Sequence, residues 1–186
     1  TWYLTRLLGL TLTDEFWRLW QGLCDRLVAS ALAEPQVFVH RDFHSRNIMV
    51  PSKGALGLLD FQDAVRGPLS YDLVSLLRDC YVEYEPAMQQ ALVEGYRQIW
   101  LSDPRVQAMT PTAFYKSFEN MGLQRHLKCA GIFSRLCLRD GKSRYLNDIP
   151  MVLKYIASVC KRQPELGEFY RWLQVFVLSD PLGRSA

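Results

Sequence analysis

His40-Arg41-Asp42-Phe43-His44-Ser45-Arg46-Asn47, followed by Asp60-Phe61-Gln62-Asp63, is the stretch on which the fold is read. Val37-Phe38-Val39 precedes it and predicts a short strand, being apolar and β-branched. Ile48-Met49-Val50 predicts a second strand and Leu56 to Leu59 a third, with Pro51-Ser52-Lys53-Gly54 as the turn between them. The last two form a small hairpin, which returns Asp60 to the end from which Asn47 departs. Asp42, Asn47 and Asp60 therefore converge despite their separation in the chain. Asp42 and Asp60 each follow an apolar run, and a charge placed there is costly unless it meets cations or donors.

Outward from this core the pattern is helical. Thr13 caps a helix from about Asp14 to Ala33, with Phe16, Leu19, Trp20, Leu23 and Leu27 on one face. After Pro68, Ser70 caps a helix from Tyr71 to Tyr81. Pro86 opens one that reaches Trp100. Thr110-Pro111 opens a long helix through the 120s. Pro150 starts a helix to about Arg162, and Pro164 a last one to about Leu178. Trp17, Trp20, Trp100, Phe114, Tyr115, Phe118 and Trp172 read mostly as core by helical spacing. The fold class is α+β and mostly helical, in a single domain over 1–186, with a small β-hairpin core carrying the polar loop.

The bulk composition narrows the function. The 186 residues are 49% hydrophobic and 22% charged, which describes a globular chain with a real core. A formal charge of +3 is too mild to argue for nucleic acid. No apolar run approaches the ~20 residues that cross a bilayer. Cysteines stand at 24, 80, 129, 137 and 160, with irregular spacing and no C-x-x-C pair. They read as reduced core residues, which points to the cytoplasm. The expected partner is a small molecule, with neither nucleic acid nor membrane.

The loop offers what phosphoryl transfer requires. A carboxylate orients the attacking hydroxyl and accepts its proton, and hard oxygen ligands hold Mg²⁺ against the phosphates of ATP. A carboxylate and a cation ~4 Å apart attract by roughly 4 kcal/mol per charge pair at an effective dielectric of ~20. Asp42 is the candidate catalytic carboxylate, and Asn47 and Asp60 are the candidate metal ligands. A solvated turn Asp, a turn Asn and a strand-end Asp are the bland alternatives. His40 reads as loop support through hydrogen bonds, and His44 as support ahead of substrate contact. Asp72, near a helix start, suits the positive end of the dipole and braces the loop. Arg41 and Arg46 suit bidentate phosphate contact, or loop salt bridges to Asp63 or Asp72. Asp63 reads as structural, ahead of indirect metal binding or a substrate hydroxyl. Gln124, Arg125, His126 and Lys128 form a polar, basic patch that is either a substrate surface or a solvated face.

The spacing resembles the kinase loop H-R-D-x-x-x-x-N followed by an Asp-Phe pair, with Gln62 where that motif has Gly. His44, two residues after Asp42, is similar to the H-x-D-x-H-x-x-N loop of the aminoglycoside phosphotransferase and choline kinase family. Asp60-Phe61-Gln62-Asp63-Ala64-Val65, Tyr71-Asp72-Leu73-Val74-Ser75-Leu76-Leu77-Arg78-Asp79-Cys80-Tyr81 and Met121-Gly122-Leu123-Gln124-Arg125-His126-Leu127-Lys128 narrow it further. They resemble the bacterial anomeric kinases of the cell-wall amino sugars N-acetylmuramate and N-acetylglucosamine, over most of the chain. The resemblance implies the C-terminal lobe of a protein-kinase-like fold. It also implies ATP and Mg²⁺ as cofactors, and phosphorylation of an amino-sugar anomeric hydroxyl in cell-wall recycling. Arg41 or Arg46 would then reach phosphate or the lactate carboxylate of N-acetylmuramate.

Family members carry an N-terminal lobe of strands with a Gly-rich loop and a phosphate-binding Lys. The residues before His40 read instead as helix. The expectation is a C-terminal lobe whose nucleotide-binding N-terminal lobe is absent from this chain and is its natural partner. Aminoglycoside, choline or another small alcohol is the rival acceptor. Arg125, Lys128, Arg135, Arg139, Lys142 and Arg144 favour a neutral or anionic acceptor over a polycation. A non-catalytic pseudokinase is the third reading; retention of Asp42, Asn47 and Asp60 argues against it. The 186-residue chain alone is expected to show negligible ATP-dependent turnover, and a robust rate in a coupled ADP-release assay would contradict this.

Overall fold

The computed structural model describes residues 2–80 and 82–183. The chain divides into two compact units, Thr1–Leu27 with Leu123–Ala186, and Val28–Gly122. The divisions fall within helix α1 (Asp14–Ala33) and helix α5 (Pro111–Asp140).

The stretch His40–Asn47 lies in the Val28–Gly122 unit. Strand β1 (Gln36–Val39) alternates as its sequence requires: Val39 is 2% exposed and Phe38 74%. The predicted hairpin is present as β2 (Ile48–Met49) and β3 (Gly57–Leu58), antiparallel, with Ile48 opposite Leu58. The partner of β1 is β4 (Val65–Pro68), which sequence reasoning missed. Gly and Pro are depleted in strands, so Val65-Arg66-Gly67-Pro68 has no strand signal. Packing explains the glycine: a Cβ on Gly67 would lie 3.3 Å from Val39 Cγ2.

Helix α2 (Ser70–Leu77) differs from its prediction at both ends. Ser70 does not cap it; Leu69 before it is already helical, and Ser70 is the first residue of the helix. Its hydroxyl and backbone N–H both donate to the carboxylate of Glu34, at 2.9 and 2.8 Å. A buried acid from the end of α1 thus satisfies this helix start. The far end comes at Leu77, because Arg78 leaves helical geometry at φ −125°, ψ 42°. The predicted terminus, Tyr81, lies outside the described residues.

Helices α3 (Pro86–Ile99) and α4 (Pro104–Gln107) complete this unit with the first part of α5. Its core joins Leu69, Val74, Leu77, Val93, Val106, Phe114, Phe118 and Met121. Arg78 is buried beside that core. It lies 3.6 Å from Glu119, donates from Nε to Gln89 at 3.2 Å, and stacks over Phe118 at 4.7 Å. A Cβ on Gly122 would come within 3.0 Å of its guanidinium, so the glycine makes room for the arginine. Thr110 accepts from Ala113 N–H, and the predicted long helix continues unbroken to Asp140.

In the other unit, Phe16, Leu19, Leu23 and Leu27 of α1 are buried. So are Ile149, Val152, Leu153, Ile156, Val159 and Cys160 of α6 (Ile149–Arg162). The last predicted helix is split into a 3₁₀ turn (Pro164–Leu166), α7 (Gly167–Leu173) and a π turn (Gln174–Leu178). Phe16 packs on Trp172 at 4.7 Å, and Tyr3 donates to the Pro181 carbonyl at 2.8 Å.

Burial raises the pKa of Glu34 above the ordinary carboxylate value, and the Ser70 hydrogen bonds only partly oppose this. Below the ordinary carboxylate pKa the stabilising contribution of the protonated acid is fully present. It is lost as pH rises through the raised folded value. The stability of wild type relative to Glu34→Gln should therefore fall with rising pH across that window. Urea denaturation at a series of pH values measures it, and parallel profiles would contradict it.

Candidate phosphotransfer site

The chain after β1 turns sharply. Arg41 has φ +75°, a left-handed conformation that costs a non-glycine residue about 1–3 kcal/mol. Asp72, in the first turn of α2, holds it there. Its two carboxylate oxygens accept the backbone N–H groups of His40 at 2.6 Å and Arg41 at 3.0 Å. The expected brace is thus built from backbone donors.

From Asp42 onward the loop closes on itself. His44 N–H donates to the Asp42 carbonyl at 3.0 Å. Ser45–Asn47 form one 3₁₀ turn, with Asn47 N–H donating to the His44 carbonyl at 3.0 Å. The Asn47 side-chain amide donates to the Asp42 carbonyl, also at 3.0 Å. Its nitrogen is thereby committed, and its Oδ1 is the atom left to serve as a ligand. Leu59 N–H donates to the Asn47 carbonyl at 3.0 Å, which sets Asp60 beside Asn47. Asp60 also has a left-handed backbone, φ +65°, a conformation that Asp tolerates better than most residues. One of its oxygens accepts from Gln62 at 2.6 Å. Asp42, Asn47 and Asp60 therefore share one loop cluster of the Val28–Gly122 unit.

That donor set is oxygen throughout, which suits Mg²⁺. Among the described residues no group of three or more His, Cys, Asp or Glu side chains is placed to hold a metal. One amide, one or two carboxylates and the oxygens of a bound phosphate chain is the kind of set Mg²⁺ takes.

The structure places the other predicted residues as follows along the same loop. His40 is buried, with its ring edge-on to Phe43 at 6.1 Å. Both its ring nitrogens lack a hydrogen-bond partner among the described residues, so it supports the loop by packing and by its backbone N–H. His44 is half-buried and supports the loop through its backbone. Arg41 reaches Asp63 at the backbone carbonyl, 3.3 Å away. Asp72 takes the Arg41 backbone N–H. Arg46 is exposed in the 3₁₀ turn and Asp63 is exposed near the loop.

Gln124, Arg125, His126 and Lys128 lie in the other unit and do not form one exposed patch. Gln124 and Lys128 are exposed and Arg125 is half-buried. His126 is fully buried and stacks on Tyr155 with ring centroids 4.6 Å apart. Positions 124, 125, 126 and 128 are spread over slightly more than one helical turn, so they do not all face the same way.

Two acids near the loop were missed from sequence. Asp79 accepts from Ser45 N–H and Oγ at 3.2 and 2.7 Å, and Glu34 holds the start of α2. Both carried a readable signal. Asp79 follows an apolar helical run, where a charge requires partners. Glu34 follows a helix C-terminal end, where the dipole disfavours an acid.

The profile of the family described as phosphotransferase enzyme family matches residues 1–108. The chain is 46% identical over 184 residues to an N-acetylmuramate/N-acetylglucosamine kinase of Neisseria meningitidis serogroup B, covering 97% of this chain and 54% of that protein. It is 46% identical over 175 residues to one of Pseudomonas putida, covering 90% and 49%. It is 34% identical over 162 residues to one of Caulobacter vibrioides, covering 85% and 43%. The chain spans about half the length of the curated relatives it matches.

Asp72→Ala should cost about 3–6 kcal/mol, since hydrogen bonds to charged groups are worth about 1.5–3 kcal/mol each and two are lost. Amide exchange at His40 and Arg41 should accelerate with it, and unchanged exchange there would contradict the brace.

Proposed function

From its membership of the phosphotransferase enzyme family, to which this chain belongs, we propose that it carries the catalytic residues of an ATP-dependent amino-sugar kinase. The acceptor in this reading is the anomeric hydroxyl of N-acetylmuramate or N-acetylglucosamine. The observation that carries it is the hydrogen-bonded junction of the Asp42 carbonyl, the Asn47 amide and the Leu59–Asp60 backbone. The kinase names of the relatives supply the acceptor.

In the proposed reaction the acceptor oxygen bonds to the γ-phosphorus of ATP while the bond to the leaving ADP oxygen breaks. Asp42 orients the hydroxyl and takes its proton. A carboxylate is a weak base for an alcohol, so orientation is its larger contribution in a loose transition state. Asn47 Oδ1 and the Asp60 carboxylate would hold Mg²⁺, which supplies charge neutralisation at the phosphates. Arg41 acts on the Asp60–Asp63 segment through the Asp63 carbonyl.

The chain, over 1–186, is read as the C-terminal lobe of a kinase-like fold. Phe38, Val50, Leu56, Leu59 and Phe61, around the loop and hairpin, are all close to or above half exposed, Val50 reaching 79%. Contiguous exposed apolar surface marks a face that something covers. A nucleotide-binding lobe, together with the base of ATP, is the proposed cover, consistent with relatives about twice as long. A cytoplasmic setting suits the thiol chemistry, since burial pushes Cys160 up to about 12 and leaves it unreactive.

The full-length protein should transfer phosphate from ATP to N-acetylmuramate or N-acetylglucosamine, with the product phosphorylated at the anomeric carbon. Asp42→Asn should lower kcat by about 10²–10⁴, the usual contribution of a positioned acid–base group. A wild-type enzyme that phosphorylates kanamycin and no sugar would reject the acceptor. An Asp42→Asn rate within a few-fold of wild type would reject the role of Asp42.

A further inference from the structure

The catalytic loop is gripped a second time, by a carboxylate to which the phosphotransfer reading gives no part. Asp79, two residues past the end of α2, is only 3% exposed. A single one of its oxygens accepts both Ser45 N–H at 3.2 Å and Ser45 Oγ at 2.7 Å. Burying an acid this deeply is costly unless it gains hydrogen bonds. These bonds are charge-assisted and so stronger than neutral ones. Ser45 is itself exposed, yet both its donors are turned inward to the acid.

Ser45 opens the 3₁₀ turn that ends at Asn47. Such a turn has little slack: Asn47 N–H bonds the His44 carbonyl, and the Asn47 amide bonds the Asp42 carbonyl. A shift at Ser45 is passed to Asn47. Asp72 acts elsewhere, on His40 and Arg41 ahead of Asp42. The two acids are seven residues apart and hold opposite parts of one loop.

We propose that Asp79 is a positioning residue that acts through Ser45 to hold Asn47, and so governs the metal-binding half of the site. The role given to Asn47 rests on the phosphotransfer reading; the Asp79–Ser45 contact does not.

The test compares Asp79→Ala, Asp79→Asn, Ser45→Ala and the Asp79→Ala/Ser45→Ala double variant in the full-length protein. Mn²⁺ binding in the presence of ADP, read by electron paramagnetic resonance, reports the metal half without turnover. Asp79→Ala should weaken Mn²⁺ about tenfold or more, the scale found for partners that orient metal ligands. Ser45→Ala should weaken it less. Asp79→Asn, whose amide oxygen still accepts both bonds, should recover part of the loss. The double variant should be no worse than Asp79→Ala, and the KM for the sugar should stay near wild type. Wild-type Mn²⁺ affinity in folded Asp79→Ala, or losses that multiply in the double variant, would overturn the proposal. If Asp79→Ala does not fold, unchanged affinity in both Ser45→Ala and Asp79→Asn overturns it equally. Failure of the phosphotransfer reading is seen separately, in wild type: Mn²⁺·ADP binding without transfer to sugar rejects only the acceptor. Wild type that binds no Mn²⁺·ADP rejects the metal site and this proposal together.

Discussion

A carboxylate that accepts two consecutive backbone N–H groups is the constraint on which the candidate catalytic loop depends. Asp72 does this for His40 and Arg41, and it holds Arg41 in a left-handed conformation that an arginine does not choose. Without that turn, Asp42 would not lie under the Asn47 amide. Two charge-assisted hydrogen bonds outweigh the strain of about 1–3 kcal/mol at one residue, so the turn persists. The same device recurs in this unit: Glu34 accepts twice from Ser70, and Asp79 twice from Ser45. Three acids with no place in the proposed chemistry fix the backbone that carries it.

These acids depend in turn on the core beneath them. Arg78, next to Asp79 in the chain, is paired with Glu119, bonded to Gln89 and stacked on Phe118 of the apolar cluster. A buried ion pair is weak evidence for stability, because desolvation offsets much of its attraction. Its geometry here has another effect. It anchors Arg78, which leaves helical geometry directly after α2 ends at Leu77 and precedes Asp79 in the chain. Packing of helices α2, α3 and α5 is thereby linked, through Asp79, to Ser45.

Much of this was readable in the residues. The 3.6-residue period of Phe16, Leu19, Leu23 and Leu27 located α1 as Asp14–Ala33. The turn residues between Val50 and Leu56 located the β2–β3 hairpin, and with it the return of Asp60 to Asn47. Strand β4 was not readable, since Gly67 and Pro68 contradict strand propensity and pairing with β1 alone makes them a strand. Ser70 was misread as a cap because its local pattern is that of a cap; a carboxylate distant in sequence took its hydrogen bonds. His126 was placed in a polar patch because its neighbours are polar, whereas its stacking on Tyr155 is a tertiary fact. Local periodicity was legible, and hydrogen bonds between distant residues were not.

In the proposed site, Asn47 and Asp60 hold one divalent ion beside Asp42. Anomalous diffraction from crystals of the full-length protein grown with Mn²⁺ and a non-hydrolysable ATP analogue tests it most directly. A manganese peak is expected within coordination distance of Asn47 Oδ1 and an Asp60 carboxylate oxygen. A peak bound elsewhere, with both of these side chains uncoordinated, would contradict it.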